Sequence, residues 1–301
     1  MKLGYFPGCS LHATAREYDQ SLRATLGQLD VEIEEIDDWA CCGATSAHAT
    51  NRLLSLALPA RTLALAEAQK LERVLAPCAA CYSRLATARH ALAGDAAEAG
   101  RVRAVLGRPF TNSVGVLSIV ELLRDLAPEI KKRATASPLA GRSLACYYGC
   151  LLVRPPEVTG FDDAEAPRSM ETVVEAAGAK TVVWRRALDC CGGGFSLSRT
   201  PSVVRLGRAI LDDARAAGAE ALVVACPMCH SNLDFRQRAM SQRADGEGRA
   251  AGLSILFITE VVGLALGVSP ERLGLGRHFV SPHALLQGPA EKALPEHREQ
   301  A

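Results

Sequence analysis

Apolar residues in this chain come in short runs that stop at turn residues, and the runs recur in one order in two stretches. KLGYFPGC at 2–9, VEIEEID at 31–37 and RVLAPC at 73–78 are brief, apolar or alternating, and predict strands. RSLACYYGC at 142–150, KTVVWRRA at 180–187 and ALVVACP at 221–227 repeat them. Ala/Leu segments over 46–71 and 202–217 have helical composition and spacing, and Cys81 and Cys229 each open a further helix. LSIVELL at 117–123 and LFITEVV at 256–262 each surround one glutamate and read equally as strand or helix. Strand and helix in alternation predict an α/β fold of parallel βαβ units, two pseudo-symmetric domains over 1–135 and 142–284, and a loose polar tail over 285–301. PEIKKRATASPLAG at 128–141 reads as the linker, and VRPPEVTGFDDAEAPRS at 153–169 as an irregular insertion.

The chain has 301 residues, 49% of them hydrophobic, enough for one large or two ordinary cores. Lys and Arg total 34 against 33 acids, a net charge of +1, so no basic surplus announces nucleic acid. The first twenty residues lack a continuous apolar segment, so no signal peptide is expected. ILFITEVVGLALGV at 255–268 is short and carries Thr259 and Glu260, so no direct membrane span is expected either. The expected location is the cytoplasm, with any membrane contact made through a partner.

Eleven cysteines change this picture. With Cys146 set aside they form two sets of five in one pattern: a lone cysteine after glycine, a Cys-Cys-Gly, and a C-x2-C beside proline. Between the lone cysteine and the pair lie 31 residues in the first set and 39 in the second; between the pair and the last motif lie 35 and 34. Internal duplication accounts for this, and it places every cysteine of the pattern at the C-terminal end of a strand, where open α/β sheets build their sites. A disulfide between neighbours would close a strained ring. Zinc takes four ligands, usually from two C-x2-C knuckles, and fits five thiols with one such motif poorly. A metal-free dithiol at Cys78 and Cys81 leaves three cysteines unexplained, and the compact C-x2-C-x2-C run of a ferredoxin is absent. A radical-type C-x3-C-x2-C fails because Val153 stands where the third cysteine would. A polynuclear iron–sulfur centre in each half remains. Gly43 and the run Gly192, Gly193 and Gly194 then bend the chain at each pair and let backbone amides approach sulfur. The same run is no dinucleotide loop, since Leu197 occupies the third glycine position of G-x-G-x-x-G.

YYGCLLVRP, LDCCGGG and CPMCHSNLD give the second half its clearest resemblance, which extends over nearly the whole chain, to the CCG domain of the heterodisulfide reductase B-subunit family. The resemblance implies two Rossmann-like CCG domains with iron–sulfur sites near their interface. It implies two noncubane 4Fe-4S clusters, one on Cys9, Cys41, Cys42, Cys78 and Cys81 and the other on Cys150, Cys190, Cys191, Cys226 and Cys229. It further implies cleavage or formation of a disulfide or sulfane-sulfur bond by single-electron steps, with cluster-bound iron as sulfur acceptor. Expected partners are the iron–sulfur (C) and flavin (A) subunits of a heterodisulfide reductase-like complex, since no ferredoxin, flavin or nicotinamide motif is present in this chain. The Ala- and Arg-rich composition favours the bacterial sulfur-oxidising branch, with a lipoate-binding protein carrying the substrate. The alternative is an electron-transfer iron–sulfur subunit of a glycolate- or lactate-type dehydrogenase complex.

His230, next to Cys229, is the candidate proton donor, weighed against a histidine that satisfies a local hydrogen bond. His12 and His48 stand in the same relation to the first set. Arg154 and Arg199 are weighed as anchors for an acidic substrate against solvated arginines, and Cys146 is read as a small apolar strand residue.

Overall fold

A computed structural model describes residues 1–44, 47–134, 137–241 and 252–287. Among the described residues eight strands form two parallel four-stranded sheets. The first holds β1 (Lys2–Tyr5), β2 (Glu32–Glu35), β3 (Arg73–Ala76) and β4 (Gly115–Ser118) in the order β2-β1-β3-β4. The second holds β5 (Ser143–Tyr147), β6 (Lys180–Thr181), β7 (Ala221–Val224) and β8 (Ser254–Phe257) in the matching order β6-β5-β7-β8. In each sheet the direction in which successive strands are added reverses between the first and third strands, which opens a crevice at their C-terminal ends.

The helices that matter to the site are α1 (Arg16–Gln28), α2 (Arg52–Ala68), α3 (Ala79–Gly94), α4 (Ile119–Asp125), α5 (Ala127–Arg133), α6 (Ser169–Ala176), α7 (Thr200–Ala216), α8 (Pro227–Asp234) and α9 (Ile258–Ala265). α1 and α6 follow the first strand of their half, and α4 and α9 follow the fourth. Each half lays a helix that follows its first strand against the helix that follows the other's fourth strand: α1 packs on α9 and α6 on α4. The halves are thereby related by a pseudo-two-fold axis.

Aromatic packing dominates that interface. The Tyr18 and Phe257 rings stack with centroids 4.0 Å apart, both fully buried. Burying each ring is worth about 1.5–3 kcal/mol. The hydroxyl bonds beside them, Ser21 Oγ to Thr259 Oγ1 at 2.7 Å and Thr25 Oγ1 to the Thr259 carbonyl at 2.8 Å, contribute on the order of 1 kcal/mol each. The rings therefore hold the halves together, and the hydroxyls fix how the helices are set.

The structure revises several element boundaries. The runs at 117–123 and 256–262 are neither strand nor helix throughout: each changes from strand to helix, at Ile119 and at Ile258. The strand expected over 180–187 keeps its ladder pairing only at Lys180 and Thr181. Beyond Val182 the Arg185 amide turns away to donate to Asp213 Oδ2 at 2.9 Å, and the Trp184 indole N–H donates to the Cys146 carbonyl at 3.0 Å. The expected linker begins as helix, because Ile130 is fully buried and Glu129 pairs with Arg133 one turn on, so its polar residues form the outer face of α5. At the C-terminus Leu285 is buried in a short helix, His283–Leu286, and the tail from 288 lies outside the described residues.

Candidate metal centre

Every cysteine of the pattern lies just past the C-terminal end of a strand: Cys9 after β1, Cys41 and Cys42 after β2, Cys78 and Cys81 after β3. Cys150, Cys190, Cys191, Cys226 and Cys229 follow β5, β6 and β7 in the same way. Exposure obeys the duplication as well. In each set the lone cysteine and the first of the pair are exposed, Cys9 and Cys41 or Cys150 and Cys190, and the other three are buried.

Inside each set the thiols touch. Cys42 Sγ lies 3.2 Å from Cys81 Sγ, and Cys191 Sγ lies 3.4 Å from Cys229 Sγ. Cys9 meets Cys41, and Cys150 meets Cys190. Cys78 and Cys226, the equivalent residues of the two last motifs, face one another across the pseudo-two-fold axis, each shifting the other's titration. The two sets come nearest each other at these two cysteines.

Protons are shared unevenly among the thiols. Hydrogen bonding from Cys81 brings Cys42 down to about 7, and hydrogen bonding from Cys150 brings Cys190 down to about 6. Cys226, bonded by Cys229 and Cys78, is held well below the usual thiol range. The same bonds push Cys81, Cys150 and Cys229 up, since each is the donor to a neighbour that takes the charge. Cys42, Cys190 and Cys226 are thus the thiols held toward the thiolate; a cationic centre among the thiols would draw off the remaining protons, as thiolate–metal bonding requires. Among the described residues no three His, Cys, Asp or Glu side chains group so as to hold a single metal ion.

Glycine makes the approach possible. Gly43 and Gly192 adopt φ of +76° and +81°, a left-handed turn that reverses the chain directly after each pair. Their amides donate back to Cys41 Sγ at 3.5 Å and to Cys190 Sγ at 3.3 Å. Gly193 contributes its amide to the same Cys190 sulfur, and a side chain at Gly194 would meet no heavy atom within 4 Å, so the second set opens on clear ground.

Sequence reasoning missed three residues here. Gly8 and Gly149, at φ of +67° and +66°, let the lone-cysteine turn close on the far motif: a Cβ would stand 2.9 Å from Cys81 Sγ or 3.4 Å from Cys229 Sγ. Their recurrence before both lone cysteines was the available signal. Asn232, buried on α8, donates to the Cys191 carbonyl at 3.3 Å and faces its sulfur at 3.7 Å.

The structure does not bring the remaining candidates to the thiols. The His230 ring is buried, with Nε2 3.2 Å from the Ile255 carbonyl and its face stacked on Phe257. Burial and the neighbouring His278 hold it well below the usual imidazole range, so it packs as a neutral ring. His12 pairs with Glu35 at 3.1 Å, and His48 is exposed on the helix Ala47–Thr50. Arg154 is tied to Glu165 and to the Ala164 carbonyl, and Arg199 is exposed. Cys146 is wholly buried within β5.

The cysteine-rich domain family, CCG, matches residues 3–86 and again 144–234, the two stretches that carry the thiols. The chain belongs to that family. It is 32% identical over 281 residues to the 8-methylmenaquinol:fumarate reductase membrane anchor subunit of Wolinella succinogenes, covering 93% of this chain and 97% of that one. It is 30% identical to the B subunit of the ferredoxin:CoB-CoM heterodisulfide reductase of Methanosarcina mazei, covering 93% and 94%. Among solved structures, a hypothetical protein from Helicobacter pylori superposes with a TM-score of 0.71 at 12% identity, over 93% of this chain and 52% of that one, a likeness of fold alone. Proteins named as subunits of reductases thus match this chain along nearly its whole length. Among the described residues no helix is long and apolar enough to cross a membrane.

Proposed function

We propose that this CCG protein is the disulfide-acting iron–sulfur subunit of a multi-subunit oxidoreductase. The observation that carries the reading is the pair of equivalent five-thiol sets meeting at Cys78 and Cys226. Cys9, Cys41, Cys42, Cys78 and Cys81 would hold one noncubane 4Fe-4S cluster, and Cys150, Cys190, Cys191, Cys226 and Cys229 the second. Bound there, such centres supply one-electron transfer and an iron to accept sulfur. The buried thiols fix the inner side of each centre; exposed Cys150 and Cys190, beside the open Gly193–Gly194 turn, leave the second accessible to substrate. Amides from Gly43, Gly192 and Gly193 stabilise the thiolate sulfurs they face. The substrate class is a disulfide or sulfane sulfur, in our reading a lipoate-bound one of bacterial sulfur oxidation, with electrons exchanged through the iron–sulfur (C) and flavin (A) subunits of the complex.

The Wolinella relative favours a second reading, an electron-transfer subunit of a quinol-linked complex, for that protein is named a membrane anchor. Anaerobic purification with iron and sulfide analysis tests what both share: two clusters require about eight irons per chain, and fewer than about four would sink the proposal. Cys191→Ser then separates the sites, abolishing disulfide turnover while the spectrum of the first set persists. Re-oxidation of the reduced protein by lipoyl disulfides supports the first reading; reduction by menaquinol with no response to disulfides supports the second.

A further inference from the structure

Duplicated positions that have diverged show where the halves do different work. The residue after the last cysteine is Tyr82 in the first half and His230 in the second, and the matching glutamates are Glu121 and Glu260. Glu121 lines an open cleft of about 320 Å³ together with Tyr82 and Glu157. Glu260 is sealed from solvent: Oε1 lies 2.9 Å from His278 Nε2, and Oε2 accepts the Phe257 amide at 2.8 Å.

Two more buried carboxyls face that imidazole, Glu17 from α1 and Asp234 from α8. Asp234 accepts the amides of Phe279 and Val280 at 2.7 and 3.0 Å, and Arg277 faces Glu17. His278 Nδ1 has no hydrogen-bond partner among the described residues. Three carboxyls around one imidazole and one guanidinium cannot all ionise out of water without stranding negative charge, so the group keeps protons. Burial pushes Glu17, Asp234 and Glu260 up, and for His278 the carboxylates, Glu260 foremost, overcome burial and raise it too. Tyr18, the remaining titratable neighbour of Glu260, is fully buried and stays a phenol.

The group sits between a surface cleft and α8, the helix that Cys226 caps and that carries Cys229. On one side the His278 ring meets the His230 ring edge-on at 4.7 Å, and His230 rides on α8, the helix that carries Cys229. On the other side a surface cleft of about 440 Å³ is lined by Gln20, Gly274 and Arg277, and Gly274 backs directly onto Glu17.

We propose that Glu17, Asp234, Glu260 and His278 form a proton store for the second thiol set, gaining one proton from solvent for each electron delivered there. The proposal rests on the iron–sulfur reading above. An external one-electron carrier supplies the electron, water in the cleft supplies the proton, and both leave together on re-oxidation. Only the O–H or N–H bond that carries the proton forms or breaks, and the net charge of the buried region is unchanged. An added electron attracts a proton through low-dielectric protein, and a group already short of cations is the place that accepts it. The matching position of the first half is built differently: Glu121 is half-buried at an open cleft, its carboxyl raised by that burial but with no imidazole hydrogen-bonded to it among the described residues, and burial holds the Tyr82 hydroxyl protonated.

A spectroscopic redox titration of the anaerobically purified holoprotein between about pH 6 and about pH 8 tests this. One proton per electron makes a pH unit a tenfold change, so the second set's midpoint potential falls by about 59 mV per unit while the first set's stays level. The signals are assigned by their loss in Cys191→Ser. Glu260→Gln and His278→Gln flatten the slope, and Glu121→Gln leaves it intact. If the buried variants do not fold, Glu17→Gln at the rim still reduces the slope, and dye-detected uptake in the unaltered protein reads about one proton per electron. Level potentials for both sets, or a slope that no variant in the group changes, overturn the store alone. A chain without iron overturns the iron–sulfur reading and the store together.

Discussion

At Gly8 a methyl group would collide with the sulfur of Cys81 as well as forcing an L-residue into a left-handed turn. Gly8→Ala therefore costs about 1–2 kcal/mol in backbone strain and lowers the iron held by the first set; at Gly149, where the clearance is 0.5 Å greater, 3.4 against 2.9 Å, the strain is similar and iron loss smaller. Iron per chain and thermal denaturation of the two variants measure each part. Glu67 shows a different residue-scale effect: it accepts the Thr111 and Ser113 amides at 2.8 Å each and both hydroxyls at 3.1 Å, which outweigh its partial burial and lower its pKa. A carboxyl lowered on folding contributes stability above its unfolded pKa, and loses it as pH falls through the folded value. Glu67→Gln should thus cost on the order of 1 kcal/mol at neutral pH and progressively less once acid has protonated Glu67, read by urea denaturation at both extremes. The gathering of ten cysteines at the strand ends was legible in the sequence because residue type and spacing carry it. Gly8 and Gly149 were visible before each lone cysteine but their role was not, and neither was that of Asn232, because what they serve is a sulfur or a carbonyl far along the chain that only the fold brings near.

Hydrophobic periodicity identified eight apolar runs, but not where two of them change character. At 117–123 the Ser118 hydroxyl accepts the Glu121 amide at 3.1 Å and starts α4; at 256–262 the Glu260 carboxyl does the same for α9 by reaching back to the Phe257 amide. An unbroken apolar run hides such a start, since the face it buries is apolar on both sides of the junction. α9 is also where α1 comes closest: a Cβ at Gly263 would stand 2.5 Å from Leu273 and 2.6 Å from Thr25 Oγ1. Gly263→Val should then destabilise the protein by about 1–3 kcal/mol through overpacking, seen as a lower urea midpoint at unchanged slope.

For the molecule as a whole, the crossed pairs α1 with α9 and α6 with α4 predict that neither half melts alone. Each half holds one tryptophan: Trp39, edge-on to Phe6, and Trp184, bonded to the Cys146 carbonyl. Trp39→Phe and Trp184→Phe each leave a reporter in the other half, and coincident fluorescence transitions are expected from the pair. Two separate midpoints would show that the aromatic interface is weaker than its burial implies. The duplication itself was visible in cysteine spacing, but the axis was not, because it depends on helices crossing between halves. On that axis stand Cys78 and Cys226, each the other's neighbour. A change in either is felt at once by both thiol sets, whereas the pairs Cys42 with Cys81, Cys9 with Cys41, Cys191 with Cys229 and Cys150 with Cys190 each lie within one half.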